Sequence, residues 1–475
     1  MFFNSITFAV FLPIVFFLYW FVFNKTKSTQ NALLIIASYY FYSCWDWRFL
    51  FLLVFSTFLD YYTGIQIEKG TTEKNRKFWF WLSILVNLGF LGVFKYYNFF
   101  ATSFAELFTS FGFKISPILL NIILPVGISF YTFHGLSYVI DIYYKRIKAE
   151  YNFIDYSLFV SYFPLLVAGP IERATHLLPQ VKVKREFNFE KAKEGFCQII
   201  WGLFKKVVIA DTCAIYANSI FDHYNTMDSL SLILGTIYFA FQIYGDFSGY
   251  SDIALGVSKL FGIDLLRNFN YPYFSRDIAE FWRRWHISLS SWFRDYLYIP
   301  LGGSKVSKSV QIRNVFIIFL VSGFWHGANW TYLMWGFINA IYFLPLLLLS
   351  TNRNNTGQVD IKFDFSSIKT LLNILLTFSL ICFAWIFFRA ENIFIAFNYI
   401  KRIFEFNIDF QNLKGQISYT TTFILLYLVL LEWNNRKIEC PLYGKFSKVK
   451  ILTAIVLILL LGEFNIKSQF IYFQF

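Results

Sequence analysis

Charge is the scarcest thing in this chain. Only 15% of its 475 residues are Asp, Glu, Lys or Arg, against about 25% in an ordinary soluble domain. Hydrophobic residues make up 57%, and phenylalanine alone occurs 63 times. Too little polar residue remains to coat a core of that size, which excludes a soluble globule and leaves an integral membrane protein. Cysteine is scarce as well. Cys44, Cys197, Cys213, Cys382 and Cys440 show no CxxC spacing and lie mostly in apolar runs, so packing is their expected role rather than a disulfide framework. The five histidines form no HxxxH or HExxH pair, and no metal is expected. The chain also lacks low-complexity tracts, repeats of fixed period and a visible likeness between its halves, so residues 1–475 read as a single helical membrane domain.

Apolar runs recur at about 6–23, 31–45, 48–66, 79–98, 117–141, 154–169, 195–220, 229–245, 314–349, 370–388, 418–433 and 450–465. A helix needs about 20 residues to cross some 30 Å of hydrocarbon. The expected fold is therefore all-α and polytopic, with about ten to twelve crossings plus interfacial or re-entrant helices. The first run has no basic residue before it and no small-residue cleavage site after it, so it reads as a retained helix rather than a signal peptide. Lys25 and Lys27 follow it, and the next basic loop, EKGTTEKNRK (68–77), comes two apolar runs later, so both face the cytoplasm. The net charge of +13 is spread over many short loops, the positive-inside pattern, and not the clustered patch of a nucleic-acid binder.

Two stretches suggest broken spans around a polar cavity: ILPVGISFYTFHG (123–135), with Pro125 and Gly127, and YGDFSGYSD (244–252), with Gly245, Gly249, Asp246 and Asp252. A third, residues 267–313, is too basic for a helix bathed in lipid. Its centre has helical periodicity: Phe281, Trp285, Ser288, Trp292 and Tyr296 form one aromatic face, while Trp282, His286, Leu289 and Phe293 align on a neighbouring one. Arg283, Arg284 and Arg294 take the rest, with Glu280 placed to pair with Arg283 or Arg284. An interfacial anchor and a cavity-lining helix would both give this pattern.

FWHGANW (324–330) is the sharpest signal. The run 314–349 is 36 residues, about 54 Å as one helix, too long for a single crossing. It must break or reverse, and Gly323, Gly327 and Asn329 mark the place. His326 follows the end of the polar stretch at Arg313 by 13 residues, roughly 20 Å into the hydrocarbon. An ionisable group at that depth is a functional-site hypothesis by default, and a neutral imidazole is the form a general base needs. The bland reading is a packed histidine bonded to a carbonyl. Of the other three, His134 follows a broken segment and is placed to line the cavity, whereas His176 and His223 sit beside loops.

The stretch YGDFSGYSDIALGVSKLFGIDLLRNFNYPYFSRDIAEFWRRWHISLSSWFRDYLYIPLGGS (244–304), followed by GFWHGANWTYLMWG (323–336), resembles the membrane-bound O-acyltransferase family, in particular its bacterial branch that contains the alginate O-acetylation protein. SYYFYSCWDWRFL (38–50), LPVGISFYTFHGLSYVIDIYY (124–144) and FPLLVAGPIER (163–173) extend the likeness to nearly the whole chain. Many relatives have Leu where this chain has Phe324, an exchange between apolar groups. The resemblance implies a helical bundle around a central tunnel or funnel, with His326 catalytic and His286 the second polar residue of the site. It implies acetyl-CoA as acyl donor, with no bound cofactor. Arg283, Arg284 and Arg294 become candidates for its phosphates, with headgroup anchoring as their other reading. It implies a multi-pass protein of the bacterial inner membrane that passes the acetyl group to a periplasmic or extracellular serine-type (SGNH-like) transferase acting on a polysaccharide such as alginate. D-alanyl transfer to teichoic acid and O-acetylation of peptidoglycan are the family's other options. A proton-coupled transporter using Asp246, Asp252, His286 and His326 would belong to another class; it would be expected to show inverted repeats, and none is evident.

Overall fold

The computed structural model describes residues 1–167, 169–357, 359 and 365–464, and every described element is helical. Of the long polar connections, 350–369 lies partly outside the described residues. The chain divides into two compact units, residues 1–195 with 257–266, and residues 196–256 with 267–475.

In the first unit, α1 (Ile6–Phe17), α2 (Lys27–Ser43), α3 (Arg48–Lys69), α4 (Glu73–Leu91), α5 (Tyr97–Ser110) and α6 (Ile128–Tyr143) carry the longer apolar runs. The Pro125–Gly127 break falls where the sequence placed it, immediately before α6. The run 154–169 is not one helix. It folds as α7 (Phe153–Ser161) and the single turn α8 (Phe163–Leu166), and α9 (Ala174–Val181) follows. The unit is stitched through buried carboxylates. Asp60, in mid-α3, accepts from Ser83 Oγ at 2.6 Å and Asn87 Nδ2 at 2.8 Å, and Asp155 accepts from Lys27 Nζ and Asn31 Nδ2, each at 2.7 Å. His134 is fully buried; its Nε2 accepts the Glu172 backbone N–H, so its ring serves packing.

The second unit is built on α10 (Phe189–Leu203), a π-helical turn (Phe204–Ala210), α11 (Asp211–Asp222) and α12 (Ser229–Leu260), whose ends at 189–195 and 257–260 belong to the first. Its remaining helices are α13 (Ile278–Arg284), α14 (Ile287–Phe293), α15 (Lys308–His326), α16 (Trp330–Leu348), α17 (Phe365–Arg389), α18 (Ile393–Ile403), α19 (Phe410–Gln416), α20 (Tyr419–Asn434) and α21 (Ser447–Leu461). Here one expectation fails. YGDFSGYSD does not break its helix: α12 runs unbroken for 32 residues. Gly245 and Gly249 instead let backbone approach backbone. A Cβ on Gly249 would stand 2.8 Å from the Gly202 carbonyl oxygen, and one on Gly245 2.9 Å from that of Lys205.

Among the described residues five helices are long and apolar enough to cross a membrane, and a sixth is added if the bent pair α19–α20 is one span. Of the other apolar runs, 6–23 and 154–169 fold as shorter helices. The helix containing α4 and α5 continues for 38 residues through a π turn.

Candidate active site

The 36-residue apolar run reverses where its length demanded. α15 ends at His326, Gly327 breaks out with ψ 153°, and Asn329 caps α16 by accepting the Thr331 N–H at 3.0 Å. The hairpin arms are pressed together. A Cβ on Gly323 would lie 2.2 Å from the Tyr332 carbonyl oxygen, so only glycine fits there. This fixes the last turn of α15 and with it His326, which is 4% exposed.

His286 arrives differently. The aromatic periodicity of 281–296 predicted one continuous helix, but the structure breaks it between α13 and α14. His286 sits at the kink in the left-handed region, φ 44° and ψ 55°. The backbone groups released by the kink are captured by a segment far back in sequence: Asn270 N–H donates to the Arg284 carbonyl at 3.0 Å, and Ile287 N–H donates to the Asn268 carbonyl at 2.9 Å. Asn268 Oδ1 also accepts from Ser288 Oγ at 2.6 Å. A left-handed non-glycine residue costs on the order of 1–3 kcal/mol, and such strain persists where surrounding bonds over-determine it, commonly at functional sites. The His286 side chain is buried among rings, and neither ring nitrogen bonds another described residue. His286 lies outside the spanning helices, and burial pulls its pKa from 6.5 down to about 3, so the ring is neutral.

The two histidines meet through one side chain. The Trp325 indole is 5.9 Å from the His286 ring and 5.0 Å from that of His326, centroid to centroid. Phe247 packs on His286 at 4.6 Å, and Trp335 and Phe388 pack on His326 at 5.2 and 5.3 Å. Sequence reasoning singled out both histidines but not this aromatic frame.

The three arginines separate. Arg284 is turned into the protein, donating through Nε and a terminal nitrogen to Glu280 Oε1 at 3.1 and 2.8 Å, while Arg276 holds the same carboxylate from its other side. Arg283 and Arg294 line a cavity of about 520 Å³. That size is in the range of small-molecule sites. Lys308 and Arg353 add positive charge to its lining, and Val315, Ile318 and Phe319 give it an apolar wall. The α15 residues lining it, Lys308, Gln311, Val315, Ile318, Phe319 and Ser322, keep to three- and four-residue steps. His326 is the next step of that stripe, about 6 Å of helix rise beyond Ser322. Trp282, another lining residue, packs on Trp335 at 5.5 Å, and Trp335 packs on His326. No group of three or more metal-ligating side chains converges among the described residues.

The family model for the membrane-bound O-acyltransferases matches residues 34–388, a span that contains the kink, the hairpin and the cavity. The chain belongs to this family. Its similar relatives include the probable alginate O-acetylase AlgI of Pseudomonas aeruginosa, 39% identical over 455 residues that cover 94% of this chain and 84% of the relative. The peptidoglycan O-acetyltransferase of Helicobacter pylori is 36% identical over 84% of this chain and 78% of its own length. The teichoic acid D-alanyltransferase of Bacillus subtilis is 28% identical over 57% of this chain and 70% of its own. The chain is thus a membrane-embedded, multi-pass acyltransferase, and the transporter reading lapses.

Proposed function

We propose that the protein takes an acetyl group from acetyl-CoA on the cytoplasmic side of the bacterial inner membrane and delivers it for O-acetylation of an extracytoplasmic polysaccharide. The observation that carries this reading is the stripe on α15, which starts at the basic rim of the cavity and ends at His326. The positive-inside rule assigns that rim, with Lys308, Arg353 and Arg294, to the cytoplasm, where acetyl-CoA is found.

The chemistry follows from the two imidazoles. An acceptor hydroxyl attacks the thioester carbonyl carbon as His326 removes its proton. The C–S bond breaks, and the thiolate leaves as a thiol by taking that proton back from the imidazolium. His286, neutral and not committed to another described residue, donates a hydrogen bond to the oxygen on which charge develops. Its left-handed backbone aims the ring towards Trp325 and the hairpin tip. The acceptor is a hydroxyl of a serine-type (SGNH-like) partner outside the membrane, which modifies the polymer in turn, because neither acetyl-CoA nor a polysaccharide crosses lipid.

The relatives' names favour an acetyl group: the O-acetylase and the O-acetyltransferase each align with more than four-fifths of this chain, the D-alanyl enzyme with 57%. An alginate-like polymer is the first choice of acceptor, and the H. pylori relative makes peptidoglycan the second. The test is transfer by purified protein from labelled acetyl-CoA to a hydroxyl acceptor, beside the same assay with a D-alanyl carrier protein. Label transfer from acetyl-CoA alone supports the reading, and transfer from the carrier alone refutes it.

A further inference from the structure

The segment that follows α16 is held by its neighbours' side chains. Arg283 donates to the carbonyl of Asn352 at 2.8 Å and to that of Asn355 at 3.0 Å. Arg276 and Arg284 both donate to the carbonyl of Gly357, at 3.0 and 3.2 Å. Asn355 Nδ2 is fixed by Asp277 Oδ2 at 2.6 Å, and Lys308 Nζ secures the start of the segment at the Leu347 carbonyl and Ser350 Oγ, at 2.9 and 3.1 Å. A short polar loop, STNRNNTG (350–357), is thus pinned at both ends and in the middle.

What that clamp presents is Arg353. It lies between the two carbonyls that Arg283 grips and lines the cavity, and it makes no hydrogen bond or ion pair with a described residue. The other cations of the rim are engaged: Arg283 and Lys308 with carbonyls, Arg294 Nε with Asp295 Oδ1 at 2.8 Å. A guanidinium lining a cavity, with none of its five donors taken by a described residue, is a fork for phosphate oxygens.

We propose that Arg353 is the residue that grips the phosphate-bearing end of the acyl donor, and that Arg276, Arg283 and Arg284 are positioning residues that hold its loop. This rests on the reading of the cavity as the donor site, and it moves phosphate recognition from Arg283, Arg284 and Arg294, where the resemblance placed it, to the loop after α16. The experiment uses purified full-length protein in lipid nanodiscs, with acetyl-CoA and phosphate-free S-acetylpantetheine as donors and CoA as the binding probe. Arg353→Ala is expected to raise KM for acetyl-CoA and Kd for CoA about tenfold at unchanged kcat. KM for S-acetylpantetheine should not move, and Arg353→Lys should recover part of the loss. Unchanged CoA affinity in Arg353→Ala, with wild type binding CoA and transferring from it, overturns the assignment and leaves the donor reading standing. An equal loss with both donors also overturns it, because phosphate then plays no part. A wild-type protein that neither binds CoA nor accepts acetyl from it removes the donor reading and this proposal together.

Discussion

Two buried polar clusters in the second unit are built on opposite rules. On the π turn and α12, every charge is answered. Lys206 Nζ sits 2.8 Å from both Asp211 Oδ1 and Asp246 Oδ1, and Lys205 Nζ contacts Asp252 at 2.5 Å and Ser248 Oγ at 2.9 Å. Gln198 Nε2 donates to Asp252 from α10 at 3.1 Å. Around His286 and His326 the neighbours are rings, namely Phe247, Trp325, Trp335 and Phe388. Matched charges lose much of their desolvation cost to each other and are locked in place, so they can hold helices but cannot easily take or give a proton. An imidazole such as His286, set among rings with neither nitrogen bonded to another described residue, keeps its hydrogen-bonding capacity for whatever enters. The first cluster serves the fold, although Asp246 and Asp252 read as cavity residues in the sequence; the second is the one to which the proposed function assigns the reaction.

Exchanging residues between these categories should separate activity from stability. The largest effect is expected at His326. His326→Ala should lower acyl transfer about a thousandfold, within the usual worth of a general base, while the unfolding temperature stays close to wild type. The check is single-turnover transfer beside a thermal melt. Retained transfer would remove His326 from the base role.

Lys206→Met makes the converse case. It leaves Asp211 and Asp246 buried without their shared cation, and breaking a buried pair costs on the order of 3 kcal/mol. Yield and unfolding midpoint should fall sharply, while transfer per folded molecule stays within about threefold. A stable but inactive Lys206→Met would mean that this cluster carries protons after all.

His286 combines an observed fold role, at the left-handed kink, with the reaction role proposed for it, and one substitution can part them. Asn tolerates the left-handed region that His286 occupies, so His286→Asn keeps the turn and removes the imidazole. Transfer should drop about thirtyfold, less than at His326 because a lost hydrogen bond to the developing oxyanion is worth a few kcal/mol at most. The melt should move little. His286→Val, β-branched and excluded from φ 44°, should instead destabilise the protein, and comparison of the two melts tests the strain directly.

How much of this was legible follows from where the determining residues sit. The reversal at Gly327–Asn329 was readable because a length limit acts on one continuous run. His326 was readable because depth alone makes an imidazole conspicuous. The kink at His286 was not, since the aromatic spacing of 281–296 survives it and the groups that secure it, Asn268 and Asn270, are a dozen or more residues upstream. Gly245 and Gly249 misled for a related reason. A glycine that breaks a helix and one that admits a neighbour are alike in sequence, and the neighbours here are Gly202 and Lys205. Lys205 and Lys206 did carry a signal, two cations inside an apolar run, and their partners on α11 and α12 could have been sought. Arg353 carried none, because only the cavity distinguishes it from any basic loop residue.

The smallest expected effect is a dependence on pH, and its sign is fixed by burial. The folded state holds His286 neutral down to about pH 3, whereas the unfolded chain takes up a proton near 6.5. Below 6.5 the unfolded state therefore binds more protons, so acid draws stability away across the window from 6.5 towards 3 and leaves it untouched above. By pH 5.5 the contribution is about 1 kcal/mol. His286→Asn should flatten the decline of the unfolding midpoint between pH 7 and 5.5 by that amount. Equal slopes in wild type and His286→Asn would mean that water reaches this ring in the folded protein, and that the aromatic frame is more open than its packing indicates.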